Sequence, residues 1–311
     1  PLTQNLYEAR KLTEEARKRR LVSQMGIPRH SSEEYNTAVR LVQEGVIGKI
    51  KEVHAWSNKK WGDTEPMPNR TDPVPDTLNW DQWLGVAASR PFIANYYHPG
   101  NWRKRLDFGT ATFGDMGCHI YDPVFAALRL TSPLTVRSEG PAPNEHSWAV
   151  NAVIHYVFPG TMFTEGKTVN VTWYDGDQRP PAEIQALAGN RRLPGQGSIM
   201  IGTKGIMILP HIGMPILLPE DQFKGFAVPQ LETVDHYHEF VDAVLGKTRT
   251  STTFDYAGPL TEAVLLGPLA TRFPKTTLEW EAKKLRFKNS REATAFVRRT
   301  YRDGWKVKGL S

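Results

Sequence analysis

The chain has 311 residues, 40% hydrophobic and 23% charged, the balance of a globular protein long enough for one large core or two smaller ones. No run approaches the ~18 apolar residues of a membrane span, so no membrane partner is expected, and no export pattern opens the sequence. The single cysteine, Cys118, excludes an internal disulfide and a cysteine-only zinc site, and the net charge of +6 does not point to nucleic acid. Its basic run Arg17-Lys18-Arg19-Arg20 follows Glu14 and Glu15 at a spacing of four, as on a solvated helix face.

In chain order, Leu6, Ala9, Leu12 and Ala16 predict a helix over 3–20 with Thr3 as cap, and Leu21–Met25 a short strand. Ser31 and Glu34 have capping-box spacing, and Tyr35, Ala38, Val39 and Val42 share one face of the helix that follows. Ile50–Ser57 reads as a strand. Residues 58–110 carry many prolines together with Trp61, Trp80, Trp83 and Trp102; such a loop is functional or poorly ordered, and its tryptophans argue for order. Aromatic and polar groups together suit a sugar-like ligand, or simple packing of the loop on the body.

The second half is rich in strands. Ile154, Tyr156 and Phe158 alternate, as do Val169, Val171 and Trp173; Ile199–Ile201 and Ile206–Ile208 flank a Gly-Thr-Lys-Gly turn; Leu278/Trp280 and Leu285/Phe287 form another pair. Helices are predicted around Tyr237–Leu245 and Pro259–Leu266. The fold class is α/β (α+β): an open, mainly antiparallel sheet with helices on one face.

The segment Gly114-Asp115-Met116-Gly117-Cys118-His119-Ile120-Tyr121-Asp122 places a carboxylate, an imidazole and a second carboxylate at i, i+4 and i+7, one face of a helix. A carboxylate beside a histidine orients the ring and stabilises its charged form, the arrangement of a general acid/base; the same pair can also simply hold a helix in place. Pro123 cannot donate to the carbonyl of His119, so a kink or a helix start is expected there. A metal site from Asp115, His119, Asp122 and His98 is a further possibility.

Several signatures are missing. Gly195-Gln196-Gly197 has Met200 where the third glycine of a dinucleotide fingerprint belongs, and neither Gly-Lys-Thr triplet has the glycine five positions earlier that a phosphate loop requires. There is no nucleophile elbow.

Seven segments, in order and spacing, resemble the Gfo/Idh/MocA oxidoreductases: PLTQNLYEARKLTEEA (1–16), QMGIPRHSSEEYNTAVRLVQEGVIGKI (24–50), LNWDQWLG (78–85), YHPGNWR (97–103), DFGTATFGDMGCHIYD (107–122), FDYAGPLTEAVLLG (254–267) and YRDGW (301–305). The resemblance implies a nucleotide-binding Rossmann domain followed by the sheet domain, with substrate between them and pairing through the outer sheet face into a homo-oligomer. Residues 1–30 would be the end of the Rossmann domain and 31–311 the substrate and oligomerisation domain. The family's Asp-x-x-x-His pair falls on Asp115 and His119, with His119 as proton relay. Pro1 would be the proline of the family's Glu-Lys-Pro motif, with the Glu, the Lys and the glycine-rich loop upstream of it. On that reading this chain alone is inactive, does not bind the dinucleotide, and exposes the apolar face of helix 3–20.

The function so implied is NAD- or NADP-dependent hydride transfer with a sugar, polyol or sugar derivative. Gln24, His98, Trp102, Arg103 and Asp122 are candidates for the substrate rim. Alternatives are a redox-neutral, NAD-dependent glycosidase that oxidises transiently, and a non-catalytic sheet module that serves assembly. A cytoplasmic location is expected, with export as the alternative because the first residue is Pro1.

Overall fold

A computed structural model of the chain describes residues 1–229, 231 and 233–310. Its helices and strands, in chain order, are α1 (Leu6–Arg19), α2 (Glu33–Gln43), β1 (Ile50–Ser57), α3 (Trp80–Leu84), α4 (Ala111–Ile120), α5 (Asp122–Ala127), β2 (Thr135–Glu139), β3 (Val153–Pro159), β4 (Thr168–Asp175), α6 (Ala182–Ala186), β5 (Gln196–Gly202), β6 (Ile206–Pro210), β7 (Ile216–Leu218), α7 (His236–Val244), α8 (Phe254–Thr271), β8 (Thr277–Glu281), β9 (Arg286–Phe287) and α9 (Arg291–Ala295).

Among the described residues the strands form one sheet in the order β7-β6-β5-β1-β4-β3-β2-β8-β9. Only β1 and β4 run parallel; the other neighbours are antiparallel, including the expected β5–β6 hairpin and the β8–β9 pair, where Trp280 faces Phe287.

Alternation along the strands sorts side chains to two faces. Val53, Ala55, Val171, Trp173, Met200 and Met207 enter the main core, which Leu6 of α1, Leu41 of α2, Phe113 of α4, Phe125 of α5 and Val264 of α8 close from above. Their strand neighbours Trp56, Tyr174, Ile199 and Ile208 form a second cluster, closed by Ile184 of α6. The outer face is therefore not bare, because α6 and the residues after it cover its apolar part.

Local chemistry sets the helix ends. Asn5, not Thr3, caps α1, its side chain accepting from the Glu8 N–H at 3.0 Å. Ser32, not Ser31, caps α2 through the Tyr35 N–H, which leaves the Ser31 hydroxyl to bond His236 Nδ1 at 3.1 Å. Pro123 sits in the first turn of α5, where a missing N–H costs nothing, so the chain breaks at Tyr121 just beyond His119.

Two further expectations change. Residues 21–25 form no strand: Met25 donates its N–H to the Thr252 carbonyl at 2.9 Å, and no ladder follows. The apolar face of α1 is covered rather than exposed, for Leu6, Ala9 and Ala16 pack beneath α8. The approach is close enough that a Cβ on Gly258 would lie 2.0 Å from Thr13 Oγ1. The stripe of α7, by contrast, faces outward, with Tyr237 72% and Leu245 62% exposed. Periodicity defines a stripe and leaves open what covers it.

Within residues 58–110 tryptophans pack into an aromatic cluster. Trp80 and Trp83 stack at 4.9 Å between ring centroids and pack with Ile93, Tyr96, Tyr97 and Phe108. Among the described residues no helix is long and apolar enough to cross a membrane.

Candidate active site

Helix α4 carries the Asp115/His119 pair and is held by its crossing with α8. Phe113 of α4 lies so close to Gly267 of α8 that a Cβ there would sit 2.4 Å from its ring, and it stacks on Trp173 of β4 at 4.5 Å. A rigid helix over a rigid sheet aims the side chains of its next two turns.

The two members of the pair do not bond each other. Asp115 Oδ1 accepts from Arg103 Nε at 2.9 Å, and the Arg103 guanidinium lies over the rings of Trp102 (4.6 Å) and Trp61 (5.3 Å). Helical spacing predicts the shared face correctly; a guanidinium brought in from the preceding loop takes the carboxylate. Arg103, Trp102 and Asp115 thus form one group.

His119 stands one turn further on, and its Nδ1 is buried with no hydrogen-bond partner among the described residues. It lines a narrow cleft with Arg29, Tyr35, Ser198, Pro210 and His211, about 20 Å³ in volume, in which Ser198 Oγ is likewise buried and unpartnered. Two orphaned polar atoms in one small cleft are unusual in a folded interior. The Cys118 thiol holds the His119 pKa above its ordinary value, more than burial lowers it. The His211 ring lies 6.1 Å from that of His119, and burial first, then the charges of His119 and Arg29, bring its pKa down to about 4. His211 is therefore neutral at pH 7, and its backbone oxygen accepts from Arg29 at 2.9 Å.

Asp122 belongs to another group. Its side chain is buried, with Oδ2 2.9 Å from His30 Nδ1 and Oδ1 accepting from the Tyr256 hydroxyl. Tyr35 adds a hydrogen bond to the Asp122 carbonyl at 3.4 Å. The hydrogen-bonded histidine–carboxylate pair of this region is thus His30–Asp122. The break at Tyr121 turns Asp122 away from the face that an unbroken helix would share with His119.

Gln24 and His98 lie apart from both groups. Gln24 Nε2 donates to the His236 carbonyl at 2.7 Å and reaches Glu239 at 3.3 Å, which ties it to α7. His98 meets Trp83 edge-on at 6.4 Å, within the aromatic cluster. Sequence reasoning missed His30, Tyr256, Arg29 and His211. Arg29, His30 and Tyr256 fall inside segments that carry the family resemblance, but nothing local marks His211.

Neither a metal nor a dinucleotide fits these residues. Among the described residues no three His, Cys, Asp or Glu side chains are grouped to share a cation, so Asp115, His119, Asp122 and His98 do not converge. The cleft beside His119 is far too small for a dinucleotide, and its one glycine, Gly197, lies in strand β5 rather than at a helix N-terminus. No step below is routed through such a group.

Residues 36–177 match the family described as the C-terminal alpha/beta domain of an oxidoreductase family. No curated protein matches the sequence. Among solved structures, an oxidoreductase from Thermotoga maritima is 13% identical, with a TM-score of 0.54 over 90% of this chain and 68% of its own. An NAD-binding protein from Listeria innocua is 11% identical, with a TM-score of 0.53 over 90% and 73%. An oxidoreductase domain protein from Kribbella flavida is 17% identical, with a TM-score of 0.51 over 90% and 72%. At such identities the likeness is one of fold.

Proposed function

We propose, from the premise that residues 36–177 are the C-terminal α/β domain of a Gfo/Idh/MocA oxidoreductase, that His119 is the proton relay of a hydride-transfer enzyme acting on a sugar, polyol or sugar derivative. The observation that carries this reading is the His119 imidazole, whose buried Nδ1 has no hydrogen-bond partner among the described residues while a neutral His211 lies alongside. An unpaired ring nitrogen takes a hydroxyl proton without first giving up a bond, and a general acid/base must be free to do so.

Asp115 acts on this site through Arg103 rather than by orienting His119. The Arg103–Asp115 pair is a fixed donor array over two indole faces, suited to the hydroxyls and C–H face of a sugar ring. The cofactor we propose is NAD or NADP; the family and the Listeria innocua structure described as an NAD-binding protein support it. When bound it supplies the hydride acceptor. Its cradle lies outside the cleft residues, and the 311-residue chain alone is proposed to be inactive.

The test is an assay of the complete gene product with NAD and NADP against a panel of sugars and polyols. His119→Ala lowers turnover of an active substrate by at least ~100-fold, within the range for general acid/base groups. Near-native turnover in that variant overturns the role. Release of an aglycone with no net NAD(P)H would move the reading to the redox-neutral glycosidase.

A further inference from the structure

A cavity far larger than the cleft beside His119 lies elsewhere among the described residues. It lies between α1, α2, α5 and α8, measures about 710 Å³, and has His30, Tyr35, Phe125, Arg129, Ser132 and Tyr256 among its lining residues. That volume is in the range of a small-molecule site.

Three features of its lining are chemically specific. His30 gives Nδ1 to the buried Asp122 carboxylate, which is itself held by Tyr256. In the neutral tautomer that donates Nδ1–H to Asp122, Nε2 carries the lone pair and accepts hydrogen bonds. Ser132 Oγ is buried with no hydrogen-bond partner among the described residues. The charges of the rim are mostly matched: Arg10 pairs with Glu262, Arg17 with Asp255, and Glu14 with Lys11. Arg129 is the exception, for it lies over the Phe163 ring at 5.4 Å and pairs with no carboxylate among the described residues. Between these polar points the wall is apolar, from Val39, Phe125, Leu130 and Pro259.

We infer that this cavity is a second binding site, separate from the His119 cleft, for a small organic carboxylate with an apolar body and a hydroxyl group. Arg129 and Ser132 receive the carboxylate, the aromatic and aliphatic wall takes the body, and His30 Nε2 accepts from the hydroxyl. The unmatched cation selects an anion; a neutral sugar would leave Arg129 as it is. A bound carboxylate gives the Ser132 hydroxyl, which has no partner among the described residues, an acceptor. Tyr35 lines both spaces, but the three residues assigned to the ligand's polar groups, Arg129, Ser132 and His30, do not line the His119 cleft, so the site does not depend on the hydride-transfer reading.

The experiment uses this chain and two probes, 3-phenyllactate and its deoxy analogue 3-phenylpropionate, titrated by calorimetry. The expected result is saturable binding of both, with phenyllactate tighter. Arg129→Gln, a change at an exposed side chain, weakens both probes at least tenfold. His30→Gln removes the preference for phenyllactate and leaves phenylpropionate bound. Absence of saturable binding by either acid overturns the site, and so does unchanged affinity in Arg129→Gln. If His30→Gln does not fold, Ser132→Ala replaces it: weaker binding of both probes supports the site, and unchanged binding overturns the carboxylate position.

Discussion

Arg103 Nε donates to Asp115 Oδ1 at 2.9 Å, and this one ion pair separates Asp115 from the histidine four residues later. The pair is only partly exposed, with side-chain accessibilities of 33% and 24%, so solvent does not screen it away. Asp115 contributes least among the influences that raise the His119 pKa. Arg103→Gln frees the carboxylate to turn toward the imidazole one turn on. An opposite charge within reach favours the charged ring, so the His119 pKa rises further. Titration of the ring followed by NMR measures it; a pKa that stays put or falls would mean that Asp115 cannot reach His119 even when released.

Asp175 makes folding stability depend on pH. Its carboxylate accepts from the Ala152 N–H at 2.8 Å and from Trp173 Nε1 at 3.2 Å, yet burial outweighs both bonds and lifts its pKa from 3.8 to about 6. A carboxyl whose folded pKa is raised binds more protons folded than unfolded between those values. Its contribution is thus complete below about pH 4 and is lost as pH rises through 6, on the order of 3 kcal/mol in all. Urea unfolding from pH 4 to pH 7 reads this slope. Asp175→Asn removes the slope while setting two N–H donors against each other at Trp173; an unchanged slope in that variant would show that another group carries it.

The Arg10–Glu262 pair ties α1 to α8 through two bonds of 2.7 Å, with the Glu262 side chain 9% exposed. Burial raises the Glu262 pKa even against its partner's charge, so this carboxylate is expensive to leave alone. Arg10→Met costs on the order of 3 kcal/mol, because it strands a buried charge, whereas Arg10→Met with Glu262→Met recovers most of the loss. Equal losses in the single and double variants, compared by urea unfolding, would place the energy in packing rather than in charge.

The strands and the main core were legible because alternation carries its own consistency check: Val171 and Trp173 face one core while Tyr174 faces the other. The site was legible only in part. Spacing along α4 places Asp115 and His119 on one face, but the partner that wins Asp115 comes from a different element, twelve residues earlier in the chain. His30 and Asp122 are 92 residues apart, and no local pattern announces a contact made by tertiary folding. The exposed stripe of α7 shows the same limit, since periodicity marks an apolar face without naming its cover.

Gly258 tests how tightly α1 is seated. It lies in α8 opposite Thr13, whose hydroxyl bonds the Ala9 carbonyl at 2.8 Å within α1. A methyl group at 258 would lie 2.0 Å from Thr13 Oγ1 and 3.0 Å from its Cβ, so either the threonine rotamer or the helix must move. Both residues are buried, and Gly258→Ala therefore destabilises by roughly 1–3 kcal/mol, the usual cost of overpacking, despite the better helix propensity of alanine. The clash is with the hydroxyl foremost, so Thr13→Ala in the same chain restores much of the loss. Non-additivity between the two substitutions is the signature, since residues in contact couple and distant ones do not. A Gly258→Ala variant as stable as the parent would show that α1 is free to shift on α8, and the close seating of the two helices would then not hold in solution.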